Sequence, residues 1–225
     1  MTSSAAGAHR PVYETSVSRV ALMYRLRSPG TELRTLVLTV PGRPVAIQGA
    51  WDGQLEYGFV GHDVNQLCEY PDASFGRVVL HWVLDDFVGN PGLRRSLTAQ
   101  RAVLREARRI LVPGGIVTGC VANLVHRWPA SSRLQFGRTP SRCVQLLTGA
   151  GFLTADISVA LPSADSPFTL ISTSTVAARH FFRLQLARSE EDLGRWSRLV
   201  RGLLVEAGIS RHVQGSLFFS ARAPC

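Results

Sequence analysis

The chain has 225 residues, 45% hydrophobic and 18% charged, the balance of an ordinary soluble globular protein with one domain as the default. Its net charge is +9 and all 25 basic residues are Arg, which excludes Schiff-base chemistry on Lys and a Lys-dependent phosphate loop. No run approaches the roughly 18 to 20 apolar residues that cross a bilayer, and Met1 to His9 lacks a signal-peptide pattern, so a cytoplasmic protein with no membrane partner is expected.

The arginines are spread along helical stretches (Arg101, Arg105, Arg108, Arg109; Arg195, Arg198, Arg201) without interleaved aromatics, so nucleic acid is not the expected partner. Cys68, Cys120, Cys143 and Cys225 are scattered, with no C-x-x-C spacing, and read as buried or incidental thiols; no metal site is expected.

Residues 1–14 read as a flexible start. Thr15 to Arg27 has near-helical apolar spacing and is ended by Ser28-Pro29-Gly30. Leu33 to Val40 reads as a strand. From Pro44 to Val60 two β-prone runs flank Asp52-Gly53, which predicts a hairpin, because a type I′ turn needs positive φ at both central positions. Arg77 to Val83 is a short apolar strand, Leu97 to Leu111 an amphipathic helix stopped by Pro113-Gly114-Gly115, and Ile116 to Ala122 a second buried strand. Strand, helix and strand of these lengths predict a βαβ unit with parallel pairing. Further on come a helix from Ser141 to Ala150, a strand from Leu153 to Leu161, helices over Ser172 to Leu186 and Glu190 to Ala207, and a last strand from Val213 to Ala221, expected antiparallel. Ser163 to Ser174 and Phe181-Phe182 are candidates for a lid, an interface or core.

Two blocks suggest a family. His62-Asp63 through Pro71-Asp72-Ala73-Ser74-Phe75-Gly76-Arg77-Val78-Val79 to Leu84 resembles the G-D…L-P-F-x-D-x-S-F-D-x-V stretch of class I S-adenosylmethionine-dependent methyltransferases. Leu104-Arg105-Glu106 through Arg109-Ile110-Leu111-Val112-Pro113-Gly114-Gly115 then resembles that family's L-x-E-x-x-R-V-L-x-P-G-G helix and turn, in the same order. The resemblance implies a mainly parallel twisted α/β sheet flanked by helices, a methyltransferase-like Rossmann fold. It divides one domain, residues 1–225, into a divergent N-terminal part (15–60) and a methyltransferase-like core (61–225). Carried across, Asp63, Val64 and Leu80 are cofactor contacts, and His81 and Trp82 border the reacting methyl group.

The family's E/D-x-G-x-G-x-G turn after the first strand, and its acidic residue at the end of the second, have no convincing match. The best candidate turn, Ile47-Gln48-Gly49-Ala50-Trp51-Asp52-Gly53, has Ile for the acid and Trp for the middle glycine. Residues 54 to 61 are too few for the elements that should follow, since one crossover takes at least about 10 to 12 residues. The hairpin therefore stands in for the usual first βαβ unit in this reading.

His81, with Asp85-Asp86 just beyond, is the candidate catalytic base, and His62-Asp63 is a weaker one. Trp82, Asn123 and His126 are candidate substrate contacts. The expectation is a small-molecule methyltransferase of specialised metabolism that uses S-adenosylmethionine in an altered site. Two alternatives stand beside it: an enzyme of this fold that has abandoned S-adenosylmethionine for cyclisation, elimination or hydrolysis, and a non-catalytic partner, or homo-oligomer, docking through the N-terminal hairpin.

Overall fold

The computed structural model describes residues 34–39, 55–59, 64–86, 93–123, 126–127, 134–135, 138–162, 167–188, 195–213 and 215–225. The predicted helix at 15–27, the first arm of the predicted hairpin and its Asp52-Gly53 turn lie outside these residues.

Among the described residues seven strands form one sheet, in the order β2-β1-β3-β4-β9-β7-β8. They are β1 (Thr35–Thr39), β2 (Leu55–Phe59), β3 (Phe75–His81), β4 (Leu111–Ala122), β7 (Thr154–Pro162), β8 (Pro167–Ser172) and β9 (Ser216–Arg222). β1, β2, β3 and β4 run parallel, whereas β9 enters antiparallel between β4 and β7. A minor ribbon pairs β5 (His126–Arg127) with β6 (Leu134–Gln135). The parallel strands read as unbroken apolar runs because both faces are covered, and every residue of β1 and of β3 is buried.

The second arm of the predicted hairpin is β2, and its described partner is β1, with Thr35 opposite Leu55 and Thr39 opposite Phe59 in parallel register. A two-residue Asp-Gly turn joins antiparallel neighbours only. Parallel neighbours need a crossover, which residues 40–54 are long enough to supply.

The βαβ expectation is met by β3, helix α2 (Leu93–Ile110) and β4, preceded by a short helical turn, α1 (Val83–Asp86). α2 starts four residues before the predicted Leu97. It buries Gln100, Val103, Leu104, Ala107 and Ile110, the i, i+3, i+4, i+7 rhythm of one helical face. The helix ends at Ile110, and Leu111 already pairs with Phe75 across a bulge that carries Pro113-Gly114-Gly115. Gly114 has φ +73, a conformation that suits glycine, and its N–H donates to the Pro224 carbonyl at 3.2 Å.

α3 (Pro140–Gly149) opens on Thr139, whose Oγ1 accepts the Arg142 N–H at 3.3 Å, with Pro140 in the first turn. Between β7 and β9 the chain adds β8, α4 (Thr175–Arg188), α5 (Arg195–Glu206) and α6 (Ser210–Val213). The Ser163 to Ser174 span, a candidate lid or interface, thus contains a strand, because Phe168 to Ile171 supplies β-prone residues beside β7. Phe182 is core, buried with Ile171, Ala178 and Val205 in a cluster apart from the main one.

On β4, Gly119 has a packing reason. A Cβ there would lie 2.3 Å from the Phe219 ring and 2.6 Å from the Leu80 carbonyl, so only glycine lets β9 seat its phenylalanine over β4.

Candidate functional site

The chain leaves β1 for β2 on one side, whereas from β3 it proceeds to β4 on the other. Connections that depart in opposite directions from adjacent parallel strands leave a crevice at their carboxyl ends, the usual ligand position in open α/β sheets. Here the switch point falls between Thr39 of β1 and His81 of β3, which are register partners.

His81 also faces Cys120 of β4 in register, so Thr39, His81 and Cys120 form a polar row on one face of the last rung. All three are buried, at 3%, 2% and 0% exposure. The His81 Nδ1 lies 3.4 Å from the Cys120 Sγ. Leu80 points to the opposite face and is wholly buried.

Immediately after His81 the backbone turns. Trp82 has φ +60, a left-handed conformation that costs a bulky residue energy and persists only where packing enforces it. Its indole is 1% exposed, belongs to the main core and meets the His81 ring edge-on at 6.1 Å. The Trp82 carbonyl then accepts the Asp85 N–H at 3.0 Å and begins α1. The Leu84 carbonyl accepts the buried Gln100 amide at 2.9 Å, which ties this turn to α2.

Asp85, expected to serve His81, is held elsewhere. Its Oδ2 accepts the Ala122 N–H at 2.5 Å, and its Oδ1 lies 3.6 Å from the Arg138 guanidinium, with both side chains only 9% exposed. The α1 turn carries the carboxylate toward the end of β4. Arg138 donates its own N–H to the Ala122 carbonyl at 3.0 Å and bridges Asn123, which is fully buried. Asn123 therefore stands at the strand end, in the joint with Arg138. Cys143 lies under this ion pair, its thiol pushed up to about 12 by burial, with the Asp85 charge raising it further and Arg138 opposing. Nothing in the sequence spacing pairs Asp85 with Arg138, although Arg138 immediately precedes the Thr139-Pro140 helix start.

The two sequence blocks also meet in space. Val64 opens a 3-10 turn, Val64–Glu69, and Asp63 lies outside the described residues. From Arg109 on α2 the guanidinium donates to the Leu67 and Tyr70 carbonyls, each at 3.0 Å, and to the carboxylates of Asp72 and Glu106. Hydrogen bonds to Glu106 first and Asp72 second raise the Arg109 pKa. The Ala73 and Ser74 N–H groups donate back to the Arg109 and Ile110 carbonyls. The segment that carries Val64 is thus clamped to the end of α2. His126 lies in β5, within the small ribbon beyond β4.

Among the described residues no group of three His, Cys, Asp or Glu side chains could hold a metal ion, and no helix is long and apolar enough to cross a membrane. The four cysteines are free thiols, Cys120 and Cys143 buried, Cys68 and Cys225 exposed.

No family model and no curated protein matches the chain. Solved structures do. A S-adenosylmethionine-dependent methyltransferase from Archaeoglobus fulgidus is 11% identical, with 93% of this chain and 94% of that one covered and a TM-score of 0.52. A complex of the Haloferax volcanii Trm112 methyltransferase activator with a methyltransferase gives 18% identity, 97% and 94% coverage and a TM-score of 0.50. Haemonchus contortus phosphoethanolamine N-methyltransferase 2 in complex with S-adenosyl-L-methionine is 14% identical, with 92% of this chain covered and a TM-score of 0.48. This chain spans about half of that one's length, 53%. The fold is class I methyltransferase-like.

Proposed function

We propose that this chain is a small-molecule methyltransferase that binds S-adenosylmethionine in an altered site over the ends of β1 and β3. The observation that carries the reading is the topological switch point between Thr39 and His81, with the buried polar row Thr39, His81 and Cys120 across it. When bound there, the cofactor supplies an electrophilic methyl group.

The residues fit such a ligand in part. Asp63, four positions beyond β2, and Val64 are assigned to the adenine end of the cofactor, whereas Leu80, buried on the face opposite His81, is not assigned to the site. Trp82, through its left-handed backbone, Asn123 at the end of β4 and His126 beyond it are assigned to the acceptor side. The enzyme's contribution is placement of a nucleophile in line with the methyl group, with His81 the acid–base group at the reacting centre.

One observation favours a second reading, an enzyme of this fold that has left S-adenosylmethionine for another reaction. Beyond Thr39 the sequence continues Val40-Pro41-Gly42-Arg43-Pro44, with no spaced glycines to admit the cofactor's methionine portion. Isothermal titration and thermal shift with S-adenosylmethionine and S-adenosylhomocysteine separate the two. Saturable heat and a raised Tm for either compound support the first reading, and no response to both leaves the second.

A further inference from the structure

The helices between β8 and β9 carry an outward face that the fold leaves uncovered. α4 and α5 pack as an antiparallel pair. The Arg183 guanidinium on α4 donates to both carboxylate oxygens of Glu206 on α5, at 2.6 and 2.5 Å, and three residues further along α4 Leu186 lies 3.9 Å from where a Cβ on Gly202 would sit.

This pair buries little of its own apolar surface. Beneath it is a small cluster of Ile171, Ala178, Phe182 and Val205, and among the described side chains of α5 Val205 alone is buried. Leu199, Val200 and Leu203 share the opposite side of that helix, at 55%, 52% and 62% exposure. On α4, Val176 and Leu184 stand about two turns apart on the side away from Ala178 and Phe182, and are 78% and 52% exposed. Six of the eight exposed large apolar residues among the described ones fall between Val176 and Ile209. Scattered exposed leucines are ordinary, whereas adjacent rows on one face of a helix pair mark a contact surface.

Charge decides among occupants. Residues 175–206 hold six Arg and four acidic residues, so the surplus of the whole chain is not concentrated there. Among the described side chains, the Arg and carboxylate groups beside the apolar rows are Arg183 and Glu206, which neutralise each other. An anionic membrane or an acidic protein would be matched by unpaired cations at this place. A face with one cation, one anion and an apolar centre is instead complementary to itself: a two-fold axis through the seam sets apolar row on apolar row and offers each Arg183 a Glu206 of the other copy. With 14 residues in α4 and 12 in α5, the face is about 20 Å long and about 20 Å wide. That plane of about 400 Å² is smaller than the ~800 Å² each partner buries in a standard interface, so the contact suits a reversible association.

We propose that the outward face of α4 and α5 is where two copies of this chain meet, pairing their helices about a two-fold axis into a four-helix bundle in a reversible dimer. The proposal is independent of what the strand ends bind.

Sedimentation velocity of the full chain across the micromolar range tests it. The expected result is a mass that rises with concentration from 24.6 kDa toward twice that value. Leu199→Glu combined with Leu203→Glu should weaken association about tenfold or more while leaving the circular dichroism unchanged, since neither side chain is buried. Val176→Glu should also weaken it from the other helix, and decides the matter should the double variant lose helicity. A wild-type protein that stays monomeric throughout overturns the proposal, as does a dimer that the folded variants leave intact, because it must use another face. A monomer that co-sediments with phosphatidylglycerol vesicles, and no longer does so when substituted, overturns it as well and gives the face to a lipid surface.

Discussion

The Asp85–Arg138 pair is the joint most exposed to a single substitution. Its two side chains are each 9% exposed, and the carboxylate holds both the Ala122 N–H and, at 3.6 Å, the Arg138 guanidinium. In Asp85→Asn the amide oxygen still accepts from Ala122, so only the charge is lost. Removing one partner of a buried ion pair costs about 3–5 kcal/mol, because the survivor is left desolvated and uncompensated. The 3.6 Å separation is longer than a direct hydrogen bond, which puts the expected cost at or just below the low end, about 2–3 kcal/mol. Asp85→Leu also orphans the Ala122 N–H and adds about 1–3 kcal/mol. For a chain of this size the Asn variant should lose about 4–12 °C in Tm. Urea unfolding followed by tryptophan fluorescence gives the free energies, and the double variant Asp85→Leu with Arg138→Met should cost less than the sum of the two singles. An Asp85→Asn protein within about 0.5 kcal/mol of wild type, with an unchanged denaturant slope, would refute the view that this pair holds the end of β4.

Two further outcomes follow from single contacts. The Cys143 thiol is protonated in the folded protein up to about 12, whereas an unfolded cysteine ionises near 8.5, so the unfolded state loses its proton first. Stability from this group is therefore complete below about pH 8.5 and falls by about 1.4 kcal/mol per unit above it. Cys143→Val should flatten stability between pH 8 and 10 relative to wild type, and parallel curves would contradict this. Gly119→Ala forces a methyl group into the Phe219 ring and the Leu80 carbonyl, and because the carbonyl is backbone the site cannot relax. An overpacking cost of about 1–3 kcal/mol is expected by urea unfolding, relieved in part by adding Phe219→Leu.

The C-terminal two-thirds of the fold was legible because its signals are local. Apolar strands of β3 and β4 bracket an amphipathic helix whose buried face follows the 3.6-residue rhythm, and the helix read from Ser141 begins at Pro140. β8 was hidden because its span, rich in Ser and Pro, read as a candidate lid or interface. The partner of β2 was hidden for a different reason. An edge strand of five residues carries no mark of direction, and Asp52-Gly53 offered an antiparallel explanation that the sheet does not use for Leu55–Phe59. At the site, the strand read as Arg77 to Val83 is β3 (Phe75–His81), which ends at His81 with Trp82 just beyond it. Asp85 with Arg138, and His81 with Cys120, are contacts across long sequence distances, and only the register of parallel strands brings them together.

That register also changes what the missing glycine turn means. If the first strands formed an isolated hairpin, the sheet would have no switch point beside His81. With β2 and β1 parallel to β3, the switch point exists, and it is a property of chain direction rather than of any glycine. The strand topology of the methyltransferase-like fold is therefore retained, and the sequence after β1 reads Val40-Pro41-Gly42-Arg43-Pro44 in place of spaced glycines. Two prolines there fix φ and remove two N–H donors. Under the proposed function, a ligand over Thr39 would find fewer backbone N–H donors in this stretch of sequence than in a glycine-rich one. Side chains such as Asp63 and His81 would then carry more of the recognition.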